Sequence, residues 1–486
     1  MGRTKRKPKV LFVTSEIYPL IKTGGLADVS SALPSALKEL DADVRVMVPG
    51  YPAVLRAIER TSAIQFEKLG IAANLILARY WEFNFPLYVV DADIYARDGN
   101  PYQDESKTDF PDNALRFGLL CHAATMVATP ISKVWRPDVV HCNDWQTGLV
   151  PALLSYTDAK SVATVMTIHN LAFQGVFPAA LTLRLGLPIE SFAMEGVEYY
   201  GQLSFLKAGL YFAHRITTVS PGYAEEIQSV EFGSGLHGLL QARRDHLQGI
   251  LNGIDSKVWN PEEDPYIAQR YGIHSLDDKI KNKQALQQRF NLQSSGMLFG
   301  VVSRLTAQKG LDLVLAIAPA LIAKGAQLVV LGSGDASLQQ AFVALAKNHP
   351  GLVGIEQAYD EALAHRIEAG ADSFLMPSRF EPCGLNQMYS MRYGTPPIAR
   401  ATGGLKDTVI DATEQTIGDG SATGFVFKKG TSTDLWLALE RAFSIYKQPH
   451  LWRQLQINGM RRDFSWYHSA QRYLDLYKEL INLKSL

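Results

Sequence analysis

The chain has 486 residues, 47% of them apolar and 20% charged, and its 48 basic side chains match its 48 acidic ones for a formal net charge of zero. At roughly 100–200 residues per domain this length calls for two to four domains, and the charge balance argues against the basic surface that a nucleic-acid partner requires. The three cysteines, Cys121, Cys142 and Cys383, form no C-x-x-C pair, which argues against a disulfide framework and for a reducing, cytoplasmic setting. No stretch offers the roughly 18 continuous apolar residues of a membrane span, and the apolar run Val10 to Val13 behind the basic N-terminus is too short for a signal-peptide core.

In chain order, Lys9 to Thr14 predicts a buried parallel strand. A glycine loop, Lys22-Thr-Gly-Gly-Leu26, follows, then a helical pattern from Val29 to Leu40 and a strand from Asp43 to Val48. Further strands are expected at Pro86 to Val90, Asp138 to His141 and Ser161 to Ile168. This is the strand–loop–helix rhythm of a doubly wound sheet. Turn-forming residues at Asn252 to Pro261 mark a linker. The rhythm then resumes: strands at Leu298 to Ser303, Gln327 to Leu331, Leu352 to Glu356, Ser373 to Pro377 and Pro396 to Ala399 alternate with helices at Leu311 to Ala323, Ala336 to Lys347, Glu361 to Ala369 and Leu385 to Tyr393. Phe464 to Leu486 reads as one or two terminal helices. A short echo, Gly24-Gly-Leu-Ala-Asp28 and Gly403-Gly-Leu-Lys-Asp407, either relates the two halves or is coincidence.

Common nucleotide and metal motifs are missing. Gly332-Ser-Gly334 lacks the third glycine of a dinucleotide fingerprint, and there is neither a P-loop nor an H-E-x-x-H pair. Asp41-Ala-Asp43 and Asp91-Ala-Asp93 have the D-x-D form of some metal-dependent transferases, but each flanks a strand and reads better as strand-end chemistry.

Three loops carry the chemistry. In Lys22-Thr-Gly-Gly-Leu26 a full positive charge stands beside glycines and a helix start, a setting for an anion or for a plain tight turn. In Ser303-Arg-Leu-Thr-Ala-Gln-Lys-Gly310, Arg304 and Lys309 follow a strand end. Two such cations, with Lys22 on another loop, suggest a diphosphate, whose developing charge they stabilise without a metal. In Pro377-Ser-Arg-Phe-Glu-Pro-Cys-Gly-Leu-Asn-Gln387 the Glu381 carboxylate precedes the amides of Gly384 and Leu385 at a helix start, and Arg379, Cys383 and Asn386 add to a polar setting. His141-Cys-Asn-Asp-Trp145 and Thr167-Ile-His-Asn170 each follow a strand, and Trp145 is a candidate stacking platform for a sugar ring.

Together, Lys22-Thr-Gly-Gly-Leu-Ala-Asp28, His141-Cys-Asn-Asp-Trp145, Ser303 to Gly310, Ser378-Arg-Phe-Glu-Pro-Cys-Gly-Leu385 and Thr402-Gly-Gly-Leu-Lys-Asp-Thr408 resemble, in order and in spacing, the motifs of bacterial glycogen synthases and plant starch synthases. Asn386 stands where many bacterial relatives have Thr. The resemblance implies an α/β GT-B fold: two Rossmann-like doubly wound domains facing across a deep cleft, expected at residues 1–255 (acceptor side) and 256–462 (nucleotide-sugar side), with 463–486 as a C-terminal helix crossing back to the first. It implies transfer of glucose from ADP-glucose to the non-reducing 4-hydroxyl of an α-1,4-glucan, with retention and with no cofactor, metal, nucleic acid or membrane partner. It assigns Lys22, Gly25, Arg304 and Lys309 to the donor diphosphate, with Asp28 nearby. Glu381, Cys383, Gly384 and Leu385 fall to the glucose and phosphate, His169 and Asn252 to the side of the sugar, Tyr359 to the base, and Tyr102, Asp144 and Trp145 to the acceptor. Lys22, Arg304, Lys309, Glu381 and His169 are the expected catalytic set. A UDP-glucose-dependent transferase and a catalytically silent nucleotide-sugar sensor or glucan scaffold are the alternatives.

Overall fold

The structure, a computed structural model, describes residues 7–129, 135–159, 161–358 and 360–483. It divides into two compact units, one formed by Met1–Gly253 with Trp466–Leu486 and the other by Ile254–Ser465.

The strands of the first unit are β1 (Lys9–Val13), β2 (Asp43–Pro49), β3 (Glu59–Lys68), β4 (Ile71–Arg79), β5 (Leu87–Asp91), β6 (Val139–Asn143), β7 (Ala163–Ile168), β8 (Val176–Pro178), β9 (Glu198–Tyr199), β10 (Gln202–Ser204), β11 (Arg215–Thr218) and β12 (Leu247–Gly249). Nine of them form one sheet in the order β12-β11-β7-β6-β1-β2-β5-β4-β3, while β8, β10 and β9 make a small antiparallel sheet of their own. From β12 to β5 the pairing is parallel; β3 and β4 add an antiparallel edge. Val10 to Val13, and every residue of β6 and β7, are buried, as expected of parallel strands covered on both faces. The chain enters the sheet in its middle at β1, builds outward through β2 and β5, then returns to build the other way from β6. The order therefore reverses between β1 and β6, the switch point at which such sheets bind ligands beyond the strand C-termini.

The helix after β1 spans Gly25–Glu39, starting a turn earlier than the pattern from Val29 predicts. The terminal segment is one helix, Trp466–Leu483, whose buried residues Trp466, Ala470, Tyr473, Leu474, Tyr477 and Leu480 recur at helical spacing. It packs on the Gly25–Glu39 helix and on β6.

The second unit holds β13 (Leu298–Val302), β14 (Gln327–Leu331), β15 (Val353–Glu356), β16 (Ser373–Met376), β17 (Pro397–Arg400) and β18 (Phe425–Phe427). All six are parallel, in the order β15-β14-β13-β16-β17-β18. Phe299, Val301, Leu328, Val330, Phe342, Phe425 and Trp452 fill its core. Here too the chain starts in the middle and reverses, between β13 and β16. Helices beyond the predicted set, among them Lys279–Arg289, Ser432–Tyr446 and Pro449–Met460, complete the unit. No helix among the described residues is long and apolar enough to cross a membrane, and all three cysteines are free, buried thiols.

Candidate functional site

In the first unit the β1 end runs into Thr14, Ser15 and Glu16. The Glu16 carboxylate is 2% exposed. It accepts hydrogen bonds from the Thr23 hydroxyl at 2.6 Å, from the Thr23 amide and from the Tyr102 hydroxyl. Burial outweighs these donors and raises its pKa above the ordinary carboxylate value. Lys22 lies 2.9 Å from Asp28, in the first turn of the following helix, and 5.0 Å over the Tyr18 ring. Asp28 itself is favoured there by the helix dipole. Gly25 opens that helix.

At the β6 end, Asn143 donates to the Val13 carbonyl at 3.0 Å, which orients its amide, and its Oδ1 lies 2.9 Å from His169 Nε2. An amide oxygen only accepts, so Nε2 carries the proton. Burial pushes the His169 pKa down to about 3, so the ring is neutral. Asp144 has φ +55°, a left-handed backbone that costs a non-glycine residue energy and recurs at functional sites. Its carboxylate accepts from the amides of His169 at 2.7 Å and Asn170 at 3.3 Å, yet burial pushes its pKa up to about 7. Trp145 is half-buried, with its ring 5.0 Å from Phe117, 5.8 Å from Phe177 and 6.5 Å from Tyr102. Asn252, beyond β12, is buried with no hydrogen-bond partner for Oδ1 among the described residues. Such an orphaned acceptor is costly unless a ligand completes it.

His141 is a correction. Read with Trp145 as a strand-end group, it lies inside β6, fully buried. Its Nδ1 is 2.7 Å from the Tyr477 hydroxyl and its Nε2 2.6 Å from Thr167 Oγ1, so it fastens the terminal helix to the sheet.

In the second unit the loops after β13 and β16 meet at the switch point. Lys309 Nζ is 2.6 Å from Glu381 Oε2, which also accepts from the Ser378 hydroxyl at 2.9 Å. Glu381 is buried, while Arg304 is exposed and its guanidinium makes no ion pair among the described residues. Cys383 is buried, Gly384 has φ +70°, and Leu385 caps the helix Asn386–Arg392. Arg379 and Asn386, read as polar site neighbours, hold the loops instead. Arg379 pairs with both Asp312 oxygens at 2.7 Å, which draws the Asp312 pKa below its ordinary value, and Asn386 donates to the Val302 carbonyl at 2.7 Å. Tyr359 lies outside the described residues. Sequence reasoning missed Glu16, Thr23 and Ser378. Glu16 stands at a strand end beside a glycine loop, the same signal that singled out Glu381.

Residues 9–242 match the family described as "Starch synthase catalytic domain" and residues 282–456 the family "Glycosyl transferases group 1". The starch synthase IV catalytic domain of Arabidopsis thaliana superposes with a TM-score of 0.89 at 31% identity, over 98% of this chain and 100% of that one. Sucrose-phosphate synthase from Thermosynechococcus elongatus shares the fold at a TM-score of 0.61 and 18% identity, over 98% and 100% of the two chains. Two doubly wound units, each with charged groups at its switch point, together with these matches, define a glycosyltransferase of the GT-B fold. Glycogen synthases of Nitrosomonas europaea and Dechloromonas aromatica are each 51% identical to the chain, over 98% and 97% of it and 99% and 98% of their own lengths. The chain belongs to the glycogen synthase and starch synthase family, the glucosyltransferases of glycogen and starch synthesis.

Proposed function

We propose that this chain moves glucose from ADP-glucose to the non-reducing 4-hydroxyl of an α-1,4-glucan, with retention, in the cytoplasm. The observation that carries this reading is the likeness over 98% of the chain to a starch synthase catalytic domain described as bound to ADP and acarbose, ADP being the product of the proposed donor. Three buried free thiols suit a reducing compartment.

In the second unit, Arg304 and Lys309 neutralise the departing diphosphate, while Glu381, Cys383 and the amides of Gly384 and Leu385 hold the glucose and phosphate. Tyr359 stacks on the base. In the first unit, Lys22 and Gly25 serve the diphosphate with Asp28 beside them, Asn252 offers its orphaned oxygen to the donor, and Tyr102, Asp144 and Trp145 line the acceptor side. His169 lies near the reacting carbon. Because its imidazole is neutral, it adds no positive charge against the oxocarbenium-like centre. The acceptor hydroxyl attacks from the leaving-group side, and the departing phosphate takes its proton. In this reading Lys22, Arg304 and Lys309 supply the stabilisation that a metal gives elsewhere.

The test is nucleotide release from ADP-glucose and from UDP-glucose, with glycogen, with and without EDTA. Glycogen-dependent, EDTA-resistant release of ADP is expected. Release from UDP-glucose alone would overturn the donor assignment. A strict divalent-ion requirement would overturn the role given to the cations.

A further inference from the structure

Glu16 is nearly sealed from solvent, yet its named partners are neutral hydroxyls and amides. A buried carboxylate is costly, and only converging donors offset the cost. Here they converge from two directions. The Thr23 amide and hydroxyl, with the Gly24 amide, come from the loop that carries Lys22. The Tyr102 hydroxyl comes from a different segment and also lies 2.9 Å from Ser15 Oγ.

That second segment is itself pinned. The Tyr102 carbonyl accepts from Asn113 Nδ2 at 2.9 Å, and the Pro101 carbonyl accepts from Arg116 Nη1 at 2.8 Å. Arg116 is 1% exposed and also donates to Asn113 Oδ1 at 2.7 Å and to the Ile94 carbonyl at 3.1 Å. Both residues sit on the helix Asn113–Ala128. An unbroken chain of hydrogen bonds thus runs from that helix, through Tyr102 and Glu16, to the Lys22 loop. A glutamine at position 16 would offer one acceptor oxygen and turn an NH₂ group towards donors.

We infer that Glu16 is a positioning residue whose carboxylate ties the Lys22-Thr-Gly-Gly loop to the Tyr102 hydroxyl, so that the donor-phosphate loop and the acceptor-side tyrosine are held in one register. The inference rests on the donor and acceptor roles proposed above. Its consequence is coupling: binding free energies are reciprocal, so loosening Tyr102 weakens donor binding through Glu16.

The experiment is calorimetric ADP binding plus steady-state kinetics on the full chain, for the unaltered protein and for Glu16→Gln, Glu16→Ala, Tyr102→Phe and Glu16→Gln/Tyr102→Phe. Loss of a hydrogen bond to a charged group corresponds to roughly ten- to hundred-fold in affinity. Glu16→Gln is expected to raise the ADP Kd and the donor KM by about that factor, with Glu16→Ala worse because it keeps no acceptor oxygen. Tyr102→Phe is expected to weaken ADP as well as glucan, and the double variant to be no worse for ADP than Glu16→Gln alone. Unchanged ADP affinity in Tyr102→Phe, or fully additive effects in the double variant, overturns the coupling. So does a loss confined to melting temperature with ADP Kd and donor KM unmoved. Tyr102→Phe removes one hydroxyl from a half-buried ring and carries the test should the Glu16 variants fail to fold. If the unaltered chain binds no ADP at all, the donor reading beneath the inference falls and takes the inference with it.

Discussion

Lys309 and Glu381 neutralise each other across 2.6 Å, so the cation given to the leaving group is already oriented. Lys309→Ala removes that charge and leaves the buried carboxylate, among the described residues, with the Ser378 hydroxyl as its side-chain donor. We expect kcat to fall by about 10²–10³, the usual cost of losing one preorganised donor at a developing charge. Steady-state rates at saturating donor decide it, and near-normal turnover would detach Lys309 from the leaving group. Asp144 gives a pH prediction of definite sign. Its carboxyl is raised from 3.8 to about 7 in the fold, so the folded chain keeps a proton that the unfolded chain has lost. The stability this contributes is complete below about pH 4 and is lost as pH rises towards 7. His141 and His169, both lowered to about 3, act in the opposite sense: what they contribute is complete above about pH 6.5 and fades as pH falls. Comparing Asp144→Asn with the unaltered chain by urea unfolding between pH 4 and 8 isolates the carboxyl. The variant's curve should lack the decline towards pH 7, and parallel curves would mean that Asp144 ionises normally.

The two Gly-Gly-Leu segments each lie at a helix start, after β1 in the first unit and after β17 in the second, and do different work. Gly403 has φ +44°, and a Cβ there would stand 1.9 Å from the Glu381 carbonyl; one on Gly404 would stand 2.2 Å from the Cys383 carbonyl. The start of that helix presses directly against the Glu381–Cys383 backbone, and the Gly404 amide donates to the Glu381 carbonyl at 3.1 Å. A Cβ on Gly24 would meet nothing within 4 Å, and its backbone is extended. Gly403→Ala should therefore displace the Glu381 loop and cost at least about 10² in kcat/KM, since misplacement of about 1 Å is enough for that. Gly24→Ala should stay within a few-fold, and equal effects would refute the distinction. This difference was not legible in the sequence, where the segments look alike; it depends on which backbone each glycine meets. Most of the parallel strands were legible because each is a short apolar run between turn residues, but β11, β12 and β18 lay outside the predicted set. The β3–β4 edge was not: β3 is exposed along almost its whole length and so carries no buried alternation to read. The Lys22, Arg304, Lys309 and Glu381 loops were legible as charged residues at strand ends. Glu16 carries the same strand-end signal, but its tie to Tyr102 was not legible, because that partner lies 86 positions away.

The first unit is discontinuous: it closes only with Trp466–Leu483, contributed after the whole second unit has been traversed. That helix covers buried surface with Tyr473, Leu474, Tyr477 and Leu480, and it satisfies polar groups of the first unit. Tyr477 partners His141, Ser469 donates to the Leu251 carbonyl, Arg472 donates to the Gly249 carbonyl at 3.1 Å, and Glu479 meets Arg215 at 2.6 Å. The second unit keeps its own core of Phe299, Leu328, Phe342, Phe425 and Trp452, none of it drawn from this helix. Ending the chain after Ser465 should therefore strip the first unit of an apolar face and leave His141 without its tyrosine. Each buried large side chain is worth about 1.5–3 kcal/mol, and an orphaned buried polar group costs about 1–3 kcal/mol more. Losses of that size compare with the whole stability of a domain. Amide hydrogen exchange on the truncated chain separates the units. Protection in β1, β6, β7 and the Gly25–Glu39 helix is expected to collapse, while β13, β14 and β16 exchange as in the full chain. Uniform loss across both sheets would mean that the units fold as one cooperative body. Unchanged protection in β6 would mean that the terminal helix only decorates a sheet already stable without it.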